Sequence, residues 1–194
     1  MSWHLLASLN IGGADFIIRT DFRVVLDILM AFNDPELPDY AKGQVMIEIL
    51  FEDWESISPE HLEEALKKAN AFIDCGNKPD KKKKHRMVDW EQDADLIIPA
   101  VNKIAGVGDI RSIPYMHWWT FMGYFMEIGE CLFSSVLNFR HKKAHGKKME
   151  KWETDFYKNN RHLVDFHVKL SEEEEPNAPE SAKPYNGVID FNIK

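Results

Sequence analysis

Cysteine is scarce: 194 residues hold only Cys75 and Cys131, too few for a disulfide framework. Two buried thiols in a reducing cytoplasm are the ordinary account. A basic, apolar leader is missing from the N-terminus, and no long apolar run is free of charge, so the expectation is a soluble protein that is not secreted. The glycines form no phosphate-binding loop of the GxGxxG type. Cys75, Cys131, Ser134 and Ser135 sit in no recognisable nucleophile motif. The residues therefore offer no visible active site, and the expectation is a non-enzyme without cofactor or bound metal.

What is present is a globular composition, 44% hydrophobic, with charge laid out in blocks. Residues 1–77 carry 5 basic and 14 acidic side chains (net −9), and residues 78–88 carry 6 and 1 (net +5). Residues 89–139 carry 2 and 7 (net −5), and residues 140–151 carry 6 and 1 (net +5). Residues 171–194 carry 2 and 6 (net −4). Alternating blocks suit a charged partner or head-to-tail self-association, and they also suit solvated loops.

The chain is organised around residues 113–137, IPYMHWWTFMGYFMEIGECLFSSVL. Tyr115, Trp118, Trp119, Met122, Phe125, Met126, Leu132 and Phe133 recur at helical spacing, which predicts one apolar helix for a core or an oligomer interface. Glu127 and Glu130 make it a poor membrane span. Upstream, Leu5, Leu6 and Leu9 and then Phe16, Ile17 and Ile18 flank Gly12-Gly13, which predicts a β-hairpin over 4–19. Helices are predicted from Thr20 or Asp21 through about Phe32, over 38–51, and from Ser58-Pro59 to a stop at Gly76-Asn77. A helix over 89–105 buries Trp90, Ile97 and Ile98, with Pro99 set to kink or end it. A last amphipathic helix covers 147–168.

The expected fold is mainly α, a compact bundle of about six helices with a small N-terminal β-hairpin and a flexible acidic C-terminal tail. Residues 1–170 are expected to form one domain, its halves 1–77 and 89–170 joined by the basic linker 78–88, and residues 171–194 the tail. That tail, SEEEEPNAPESAKP, cannot bury a core and ends in Tyr185, Val188, Ile189, Phe191 and Ile193. Such an apolar tip fits a partner-binding segment or one that folds back on its own domain.

Several motifs together resemble those of a bacteriophage family, the "gene product fifteen" proteins of tailed phages and prophages of Gram-positive bacteria. They are Trp90-Glu91-Gln92-Asp93-Ala94-Asp95, the following Ile97-Ile98-Pro99-Ala100, and Asp109-Ile110 after a glycine turn. Tyr115-Met116-His117-Trp118-Trp119-Thr120-Phe121 and, near the N-terminus, Asp34-Pro35-Glu36-Leu37 complete the set. The resemblance spans about residues 14–170 and leaves out Met1-Ser2-Trp3 and the distal C-terminus. It implies a non-enzymatic tail assembly chaperone that binds the tape measure protein and keeps it soluble during tail morphogenesis. The host-cell cytoplasm, during infection or lysogeny, would be its location. The motif positions Trp90, Trp118, Trp119, Phe121 and Phe125 become core or partner-binding candidates, with Tyr185, Ile189 and Phe191 of the tail. Other tail proteins and a second copy are further expected partners; nucleic acid and membrane are not.

Two other classes stay open. One is a structural tail or virion component. The other is a metal-dependent enzyme, which would need Asp89, Glu91, Asp93 and Asp95 to converge with a histidine. His141 and His145 at i,i+4 have no apparent third ligand, and Lys142, Lys143, Lys147 and Lys148 would repel a cation. Lys81–Lys84 with Arg86 are basic enough for phosphate contact, but acidic surroundings and the lack of interleaved aromatics favour a solvated loop or an acidic partner.

Overall fold

Gly12 and Gly13 take φ values of 57° and 87° and reverse the chain between β1 (Ser8–Ile11) and β2 (Ala14–Ile17). In this computed structural model, which describes residues 4–77 and 85–167, the strands pair antiparallel with Ile11 opposite Ala14. Positive φ at both turn residues is what a two-residue hairpin demands of its glycines. Gly12 is fixed further by a close approach, since a Cβ there would lie 2.4 Å from His61 Nε2. The hairpin then leans on helices, as an isolated one must. The Gly12 N–H donates to Glu64 Oε2 at 2.9 Å, while Leu9 and Ile11 enter the core.

Beyond β2, Arg19 N–H donates to the Leu50 carbonyl and Glu52 N–H to that of Ile17. Helix α1 (Phe22–Phe32) starts at Asp21, whose carboxylate accepts the Arg23 N–H at 3.0 Å. Its stripe of Phe22, Val25, Ile28 and Leu29 is buried, matching the apolar spacing. Helix α2 (Asp39–Leu50) packs on α1, and α3 (Leu62–Ile73) packs on α2 after a short 3₁₀ turn led by Pro59.

The second half begins with α4 (Ala94–Ala105), which runs through Pro99 rather than ending there and stops at Gly106 in the left-handed region. It starts later than the sequence suggested because Asp89 accepts the N–H groups of Glu91 and Gln92, making a turn before the first helical residue. Then come α5 (Trp118–Met126), α6 (Leu132–Ala144), α7 (Lys151–Asn159) and α8 (Arg161–Val164). Trp118 N–H donates to the Thr20 carbonyl at 2.7 Å and Phe22 N–H to the Met116 carbonyl at 2.9 Å, so the entries to α1 and α5 lie side by side.

The architecture is mainly α with an N-terminal two-stranded hairpin, as expected, with eight helical segments among the described residues rather than about six. The difference comes from two predicted helices that are each divided. The apolar run 113–137 is not one helix. His117 caps α5 through Nδ1, and Ile113 before it has extended backbone. Cys131 then resets the chain in extended backbone, its N–H donating to Ser134 Oγ at 2.9 Å. In consequence Tyr115, Met126 and Leu132 are exposed instead of sharing a buried face with Trp118 and Phe125. The predicted 147–168 helix likewise divides at Asn160, and Trp152 faces solvent. No helix among the described residues is long and apolar enough to cross a membrane. Lys81–Lys84 and the segment from Ser171, with Tyr185, Ile189 and Phe191, lie outside the described residues.

Candidate functional site

Helix α5 turns most of its aromatic side chains inward. Trp118, Phe121 and Phe125 are buried, and Trp90 meets them from the turn before α4. Trp90 lies 6.1 Å from Trp118 and 5.1 Å from Phe125 between ring centroids, and Phe22 of α1 stacks on Phe121 at 4.7 Å. Offset and edge-on pairs at these separations add to the burial of large apolar area. Trp118 and Trp119 also tie α5 to the end of α3, their indole N–H groups donating to the carbonyls of Ile73 and Phe72, each at 2.8 Å. His117 accepts the Trp119 N–H on Nδ1 at 3.0 Å, which leaves Nε2–H to donate to the Leu6 carbonyl at 2.9 Å. That pattern fixes the neutral tautomer with the proton on Nε2. Of the candidates Trp90, Trp118, Trp119, Phe121 and Phe125, only Trp119 is half-buried; the other four pack inside the fold, while Tyr115 of the same motif is exposed.

Two of those four border open space. Trp90 and Phe121 line a cavity of about 300 Å³ between α1 and α4, with Phe22, Leu26, Ile97 and Ile98. Arg23, Asp27 and Arg111 also line it. Arg23 is held by Asp21, and Arg111 by Asp109, whose carboxyl the guanidinium keeps below the usual range. The Trp90 indole N–H is buried and meets no acceptor among the described residues. The cavity itself left no signature in the sequence, because it is a gap between α1 and a stretch 60 or more positions further on.

The clustered carboxylates do not converge. Asp93 forms a two-point pair with Arg140, at 2.5 and 2.8 Å, both side chains buried. Asp89 pairs with Arg86, and Glu91 and Asp95 face solvent. Arg140 sends its remaining donors to the carbonyls of Val164, Met87 and Leu163, and Phe166 lies under its guanidinium at 4.2 Å. Much of the basic segment 140–151 is likewise neutralised at home. Lys142 pairs with Glu153 and Lys143 with Asp165. His141 and His145 have ring centroids 4.2 Å apart, but one nitrogen of His145 bonds the His141 carbonyl. Burial, Lys147 and the neighbouring histidines hold His141 below its ordinary range. Among the described residues no three His, Cys, Asp or Glu side chains are grouped to hold a metal ion. Burial, aided by Asp74, pushes the Cys75 thiol up to about 12, a value that suppresses thiolate chemistry.

Compared with known proteins, the sequence matches the family model of the bacteriophage Gp15 protein over residues 1–166, and the chain belongs to that family. The match takes in Met1-Ser2-Trp3, which the motif resemblance alone had left outside, and it stops before the acidic segment. No curated protein matches the chain, and no solved structure does. Membership places the chain among phage structural or morphogenesis proteins.

Proposed function

We propose, with that membership as the premise, that this protein is a non-enzymatic tail assembly chaperone. It binds the tape measure protein in the cytoplasm of the infected or lysogenic host and keeps it soluble until tail subunits polymerise. The single observation that carries the reading is the family match over residues 1–166. The geometry supports it with a concave apolar surface, the cavity between α1 and α4. Amphipathic helices insert apolar side chains into such grooves, and a tape measure helix is a client of that chemistry. Leu26, Met30, Ile97 and Ile98 supply apolar contact there.

A structural tail component is the second reading, and the mature particle separates the two. Mass spectrometry of purified virions should find this protein absent while the tape measure and tail tube proteins are abundant. Recovery at a fixed stoichiometry with the tube subunit would overturn the chaperone reading and establish the structural one.

A further inference from the structure

The cavity between α1 and α4 is walled by apolar side chains, Leu26 and Met30 on one side and Ile97 and Ile98 on the other. At about 300 Å³ it is at the small end of the roughly 300–1,000 Å³ typical of ligand pockets, with room for one or two large side chains but not for a helix. The charges at its mouth do not balance. Arg23 is neutralised by Asp21, and Arg111 by Asp109. Asp27 lines the cavity from α1 and forms no ion pair among the described residues, and partial burial holds its carboxyl above the ordinary range with no cation to offset it. Asp95, exposed in the first turn of α4, adds a further carboxylate near Arg111. Four carboxylates therefore stand against two guanidiniums, a net −2, and no lysine lines the cavity.

We propose that the cavity receives one aromatic or large aliphatic side chain of a partner helix that carries a lysine or arginine one turn away, the cation meeting Asp27. This partner chemistry rests on the reading of the cavity as the client surface, and it narrows the client to one class of helix. Residues four apart on a helix are neighbours on one face, so an anchor side chain fills the cavity while a cation one turn away reaches its mouth. An anchor flanked by glutamate would set like charges together, which costs affinity. A cation gains little at a fully exposed carboxylate, but at Asp27 it also offsets a charge that is already partly desolvated. Selection then falls on apolar positions flanked by cations, not on apolar area alone.

The test uses three alanine-based peptide helices, identical but for lysine, glutamine or glutamate four residues after a single tryptophan. Each is titrated into the purified full-length protein and followed by ¹H–¹⁵N spectra. The lysine peptide should bind about threefold more tightly than the glutamine one, with the glutamate peptide weakest, and should shift the amides of Leu26 and Ile98. D27N should leave binding of the glutamine peptide unchanged and erase the lysine advantage. No binding, equal binding of the three peptides, a lysine advantage that survives D27N, or shifts confined to other surfaces would overturn the proposal. So would binding of tryptamine in preference to tryptophol while no peptide binds, since the cavity would then take a small amine rather than a helix. The two readings fail separately: recovery of this protein in mature virions removes the tape measure client, whereas the peptides report on the cavity without it.

Discussion

Arg140 uses all five of its N–H donors inside the protein, two on Asp93 and three on the carbonyls of Met87, Leu163 and Val164. A buried ion pair adds little net stability when intact, but breaking it leaves an uncompensated charge. Arg140→Met should therefore lower unfolding free energy by about 3–5 kcal/mol, measured by urea denaturation. Arg140→Lys should rescue little, since one compact ammonium cannot serve a carboxylate and three carbonyls. A loss under about 1 kcal/mol for the methionine variant would show that the pair is dispensable. In the sequence Arg140 was one cation in a basic block, and Asp93 one of four clustered carboxylates. Nothing local distinguishes them, because what selects them is each other, 47 positions apart.

At the scale of elements, the legible parts were those with a local cause. Gly12-Gly13 announced the hairpin because only positive φ closes that turn. The 22–32 stripe announced α1 because its spacing alone makes a buried face. What stayed hidden was the break between α5 and α6. Apolar periodicity continues through residues 127–131, and the interruption depends on hydrogen bonds at Cys131 and Ser134 that a hydropathy pattern does not register. The start of α5 depends likewise on His117, whose acceptance of the Trp119 N–H a hydropathy pattern does not register either. His117→Ala removes both the cap and the bond to Leu6, and should cost about 1–2 kcal/mol. For a domain of this size that is about 3–6 °C in Tm. His117→Asn should recover part of the loss, because its side-chain oxygen can accept the Trp119 N–H. Equal melting of the alanine variant and the parent would mean that packing of Trp118 and Trp119 alone sets the helix start.

Across the whole molecule, the charge blocks turn out to be partly internal. The basic segment 140–151 finds Asp93, Glu153 and Asp165 within the same half, so less of it is left for an acidic partner than its net charge implied. The acidic N-terminal half keeps its excess of carboxylates over cations, and the aromatic motif that carries the family resemblance is spent largely on the core. Among the described residues a concave apolar surface lies between α1 and α4, legible only once the two halves are in place. The most direct measurement of the central claim is co-expression with the tape measure protein of the same phage, followed by size-exclusion chromatography with light scattering. The account predicts a soluble complex of defined mass, and an insoluble tape measure protein when it is expressed alone. A tape measure protein that stays insoluble in the presence of this chain, or is soluble without it and never co-elutes, would contradict the account.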